Sequence, residues 1–104
     1  MIRNELQKSL EMFWDLETGF FFKLRNSAID LFEGEKLLSY LEGIDFSGES
    51  SLDKEIVRLL WYIPLFMSWQ FDRLSEIYAR SEMNKYEELS NKISSEVERI
   101  LGVP

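Results

Sequence analysis

From Leu59 to Phe71 the chain runs through thirteen residues without a charged side chain, Leu59-Leu60-Trp61-Tyr62-Ile63-Pro64-Leu65-Phe66-Met67-Ser68-Trp69-Gln70-Phe71, bounded by Arg58 and Asp72. At about 100° per residue, Ile56, Leu59, Ile63, Phe66 and Met67 fall on one side of a helix, and Trp61, Tyr62, Leu65 and Trp69 on the other. A helix that is apolar all round is buried in a protein or a membrane. Thirteen residues fall short of the roughly 20 that cross a bilayer. The stretch therefore predicts the central helix of a protein core, wrapped by the other helices, with Trp61, Trp69 or both buried.

The rest of the chain can supply that wrapping. It has 104 residues, 45% of them apolar, including eight Phe, three Trp and four Tyr, which is enough for the core of one domain spanning residues 1–104. There is no cysteine, hence no disulfide framework and no thiolate metal site. The start, Met1-Ile2-Arg3-Asn4-Glu5, carries an early acid and lacks a long apolar run, so it does not read as a secretory signal. The expected location is the cytoplasm.

Taken in order, Asn4 with Gln7 suggests a capping box opening a first helix from about residue 4 to about residue 25. Leu6, Leu10, Phe13, Phe20, Phe21 and Leu24 form its apolar stripe. Gly19 weakens it, and Phe22 lies off the stripe. Glu17 sits within the stripe, where a buried carboxylate needs a partner; Gln70 on the central helix and Arg73 are the candidates, and the expected role is structural. Asn26-Ser27 reads as a connection. Asp30 with Glu33 caps a second helix whose apolar side is Leu31, Leu37, Leu38 and Leu41, ending at Gly43 with Ile44 beyond it. Residues 45–51 form a polar loop in which Phe46 is the exception, either plugging the end of the bundle or anchoring a partner.

Ser50 or Ser51 is the expected cap of the third helix, with Asp53 and Glu55 in its first turn. Pro64 removes a backbone donor and crowds the preceding turn, which predicts a kink or short break near residues 60–64. The pattern then resumes through Leu74, Ile77 and Tyr78. Ser81 to Asn84 reads as a turn, and Asn84 with Glu87 as a third capping box. Tyr86, Leu89, Ile93, Val97 and Ile100 make a narrow stripe that ends at Gly102. No strand alternation is visible. The expected fold is all-α, an antiparallel bundle of four main helices with the third kinked or split at Pro64.

The absence of histidine and cysteine excludes Ser-His-Asp and Cys-His catalysis, Cys/His zinc sites and Glu-x-x-His di-iron sites. There is no phosphate-binding glycine loop. A net charge of −7 argues against nucleic acid or an anionic membrane as partner. An all-carboxylate magnesium or manganese site is conceivable, with Asp30-x-x-Glu33 and the Glu11 and Asp15 pair as the nearest approaches. No cofactor is expected.

The charge is unevenly spread. Residues 30–55 hold eight acids against two bases, a net −6, and the other 78 residues carry −1. Asp30, Asp53 and Glu55 suit helix N-termini, whereas Glu35, Glu42, Asp45 and Glu49 are not explained that way. A concentrated acidic surface steers a basic partner.

A small, acidic, cysteine-free helical chain without a catalytic set resembles the immunity proteins of bacterial toxin systems, such as the partners of nuclease colicins and of contact-dependent inhibition toxins. The resemblance covers the whole chain in size, charge and helix content. It implies a protein-binding inhibitor whose acidic side chains cover the basic surface of a toxin nuclease domain. It transfers no residue roles. From the charge pattern, Glu35, Glu42, Asp45 and Glu49 are the expected contacts, with Phe46 as an apolar anchor. A non-enzymatic adaptor or oligomeric scaffold and a carboxylate-based metal enzyme are the other readings.

Overall fold

A computed structural model of the chain describes residues 3–15, 19–46 and 52–102. These form helices α1 (Arg3–Phe13), α2 (Phe20–Arg25), α3 (Leu31–Glu42), α4 (Lys54–Ser75) and α5 (Arg80–Leu101), with no strand among the described residues. All five contribute to one buried apolar cluster.

α4 and α5, 22 residues each, make the central hairpin. The side of α4 carrying Ile56, Leu59, Leu60, Ile63, Phe66, Met67 and Leu74 is buried, and so is the α5 stripe Met83, Tyr86, Leu89, Ile93, Val97 and Ile100. Between them the Tyr86 hydroxyl donates to the Met67 carbonyl at 2.7 Å. α3 packs on α5. Gly34 leaves room there for Leu89 and Phe20, and Arg99 near the end of α5 reaches the Leu41 and Ile44 carbonyls. Gly34 therefore faces the middle of α5 and Leu41 its end, so the two helices run in the same direction. α1 lies on α4 through buried Leu6 and Leu10. Trp14 follows it, stacked on Phe21 at 4.0 Å, with its indole N–H donating to the Leu59 carbonyl at 3.4 Å.

Several expectations need correction. The first helix is not continuous: α1 ends at Phe13 and α2 starts at Phe20. Gly19 is the reason. A Cβ there would stand 2.5 Å from the Phe13 carbonyl oxygen and 2.6 Å from the Asp15 nitrogen, so the chain folds back on itself at a point only glycine fits. α1 starts at Arg3, which places Asn4 within the helix. Of the kink or split expected at Pro64, the split does not occur: α4 runs as one helix through Pro64, because Leu60, Ile63 and Met67 around it are all fully buried and their packing outweighs the lost backbone bond. Its cap is Asp53, which accepts from the Glu55 N–H at 2.9 Å; Ser50 and Ser51 lie outside the described residues. α5 starts at Arg80 with Ala79 as its cap, so 81–84 is not a turn. Met83, 4% exposed, extends the buried stripe one turn earlier.

The largest correction concerns the tryptophans. Trp61 is 52% exposed, Trp69 58% and Leu65 36%. The two sides of α4 divide as the spacing predicts, but only one is covered. α1 and α5 flank the helix; on its outer side Trp14 stacks on Tyr62 at 5.8 Å, while Trp61, Leu65 and Trp69 stay open to solvent.

Two arginines from the hairpin hold the ends of the shorter helices. Arg73 donates to the Leu24 carbonyl at 2.6 Å, to the Ser27 hydroxyl and to the Gln70 side-chain oxygen. Ser27 has φ 68° and sits at the left-handed position of a Schellman end. Its N–H bonds to the Leu24 carbonyl and the Ala28 N–H to the Lys23 carbonyl. The Tyr78 hydroxyl donates to the Ser27 carbonyl at 2.8 Å and accepts from the Ile29 N–H at 3.2 Å. Arg99 does the same for α3, at 3.0 Å to each of two carbonyls. In both cases a cation meets the negative end of a helix. Gln70 is thus engaged by Arg73; Glu17, its other expected partner, lies outside the described residues.

The fold-back at Gly19 gives a test with a definite sign. Gly19→Ala should destabilise by about 1–3 kcal/mol, read from urea unfolding. In an unbroken helix the same change would stabilise by about 1 kcal/mol.

Candidate interaction surface

The acidic residues selected from the sequence are located on α3 and the segment after it. Asp30 caps the helix, accepting from the Glu33 N–H at 3.1 Å. Gly34, Leu37, Leu38 and Leu41 face inward. Glu35 and Glu42 are exposed, seven residues apart and hence about 20° apart around the helix. Neither makes an ion pair among the described residues. Asp45 is exposed just beyond the helix end. Phe46 is half-buried and packed on the core. Glu49 lies outside the described residues.

The exposed aromatic of this surface is Phe32, 74% exposed, which was missed because it sits one residue past the start of α3. Its absence from the stripe of Leu31, Leu37, Leu38 and Leu41 was the available signal. The Lys36 ammonium lies 5.6 Å from its ring centre and pairs with Glu33 at 3.3 Å. The outer side of α3 thus presents a flat aromatic ring and two carboxylates with no cation paired to them within the described chain.

Asp30, one of the acids considered for metal binding, is committed elsewhere. It pairs with Lys23 at 2.8 Å. The Lys23 hydrogen bond, and then the Glu33 N–H, hold its carboxyl below the ordinary value of 3.8. Among the described residues no three carboxylates converge as metal ligands would.

A second surface is the outer side of α4. The Tyr62 ring stands edge-on to Trp61 at 5.6 Å and to Trp69 at 5.7 Å, tying the two indoles into one ridge. Beside its N-terminal half lies a cleft of about 450 Å³ lined by Glu11, Trp14, Arg25, Arg58, Trp61 and Tyr62. Arg58 is held by Glu55 through two bonds of 3.0 and 2.8 Å, and the Arg25 guanidinium lies 5.5 Å from the Phe66 ring centre. No described helix is long and apolar enough to cross a membrane.

No family model, no curated protein and no solved structure matches the chain.

The Asp30 pairing has a defined pH dependence. With its folded value lowered, the Asp30 contribution is fully present above 3.8 and is lost as pH falls through the folded value. The pair is about one-third exposed, 34% and 30%, so solvent screens it and its contribution is small. Asp30→Asn keeps a capping oxygen and removes the charge. Wild type should exceed it slightly in stability near neutral pH, and the gap should close as pH falls through the lowered folded value of Asp30. Asp30→Ala should lose about 0.5–2 kcal/mol of capping besides.

Proposed function

We propose that this protein is a protein-binding inhibitor that neutralises a basic partner by covering its active or substrate-binding surface, in the manner of the immunity proteins of bacterial toxin systems. The observation that carries this reading is the outer side of α3, where Glu35 and Glu42 share one exposed face without ion pairs among the described residues and Phe32 stands 74% exposed beside them. Carboxylates arranged this way accelerate encounter with a basic surface and set its orientation, and an exposed aromatic ring supplies the apolar anchor typical of interface centres. Asp45 extends the acidic surface. The protein acts by occlusion and not by turnover, and its partner is a basic, nuclease-like toxin domain. The absence of cysteine suits a reducing compartment, and the proposed site of action is the bacterial cytoplasm.

The test is affinity capture from the native host with wild type and with the double reversal E35K/E42K, followed by co-expression with the captured protein. Wild type should retain a basic protein at about 0.1 M salt and release it toward 1 M, as the screening length shrinks from about 10 Å to about 3 Å. It should also protect cells that express the captured protein. The double reversal should lose both properties while keeping its helical circular dichroism. Equal capture and protection by both proteins at all salt concentrations would overturn the reading.

A further inference from the structure

The outer side of α4 has an arrangement that the basic-partner reading does not use. Numbered from Leu65, five of its exposed residues are symmetric in character. Trp61 and Trp69 lie four residues to either side, 52% and 58% exposed, and exposed Arg58 and Asp72 lie seven to either side. At 100° per residue all five fall within about 40° of Leu65 around the helix. Between the two charges the surface is uncharged. Asp72 makes no ion pair among the described residues, and Arg58 is tied only to Glu55, a neighbour on its own helix with 49% of its side chain exposed.

We infer that this face is a self-association surface, on which two copies of the chain pair α4 against α4 in antiparallel register about a two-fold axis at Leu65. The symmetry follows from the spacing. Reversing the helix about Leu65 places Trp61 of one copy against Trp69 of the other, Leu65 against Leu65, and Arg58 against Asp72 at both ends. A two-fold interface requires such a self-complementary patch, in which one residue meets a different one and the reverse pair recurs. The i, i+4, i+8 row is also the ridge that packs into the groove of an identical helix. Charge complementarity selects this occupant. Two chains of net charge −7 repel on most surfaces, and here they meet on an uncharged strip closed at each end by opposite charges. The strip from Arg58 to Asp72 is about 21 Å long. It is small beside the roughly 800 Å² per partner of stable complexes, so the dimer exchanges with monomer.

Sedimentation equilibrium over a range of micromolar concentrations, with circular dichroism to confirm folding, tests the inference. Wild type should show a reversible monomer–dimer equilibrium, and Leu65→Glu, which sets two carboxylates together at the axis, should be monomeric. Arg58→Glu and Asp72→Arg should each weaken association about tenfold or more when alone. Mixing these two variants should restore it, because the mixed pair regains an opposite charge at both ends. A wild type that stays monomeric throughout would overturn the inference. So would association that survives Leu65→Glu, or single charge variants that pair as well alone as mixed.

Discussion

The packing of α4 against α5 is the contact on which the other helices depend, because the groups that hold α2 and α3 reach out from these two. Ile63, Met67, Tyr86 and Ile93 are fully enclosed. Within that apolar layer the Tyr86 hydroxyl finds the Met67 carbonyl, and burial pushes its phenol upward, so it stays protonated and remains a donor. Arg73 and Tyr78 then fix the joint between α2 and α3, and Arg99 fixes the end of α3. Ser27 takes a left-handed conformation that glycine adopts more easily. It does so where two groups, Arg73 near the end of α4 and Tyr78 in the turn beyond it, hold its hydroxyl and its carbonyl. Loosening α4 from α5 would therefore release both clamps together.

Much of this was legible in the sequence. The stripes of α1, α2 and α5 were readable because each has one apolar side against a polar one, and the Asp30 cap because its side chain acts within its own turn. The helix ends were harder. An isolated proline reads as a kink or a break, and the break does not occur: Pro64 stays inside α4 because fully buried residues surround it. An isolated glycine reads as a weak point, yet Gly19 ends the first helix because the backbone folds back to within 3 Å of where a side chain would start. The exposed tryptophans were misplaced for a more general reason. Hydrophobicity separates apolar from polar sides and cannot say which of two apolar sides is covered. That depends on how many helices the chain has to place around the centre, and α1 and α5 leave one side open. The roles of Arg73 and Arg99 were invisible, since on a helix both read as ordinary solvated cations.

Two surfaces result, with different chemistry. The outer side of α3 combines carboxylates with one flat aromatic ring and suits a basic protein surface. The outer side of α4 is uncharged along its middle and closed by one charge of each sign, which suits a copy of itself. They share no residues, and a chain using both would present its acidic face twice per dimer. The acid-rich segment from 30 to 55 accordingly divides by role. Asp30 and Asp53 cap helices, Glu33 and Glu55 pair with cations on their own helices, and Glu35 and Glu42 are exposed without an ion pair among the described residues.

The account rests on α4 having one buried and one open apolar side. Urea unfolding of Ile63→Ala and Trp69→Ala, at a concentration low enough to keep the chain monomeric, compares the two sides directly. Ile63 is 0% exposed and Trp69 58%. The Ile63 change should lose about 2–5 kcal/mol, and the Trp69 change about 1 kcal/mol or less despite removing the larger side chain. Equal or greater loss at Trp69 would mean that the outer side of α4 is covered in the folded monomer, and would contradict the arrangement of helices described above.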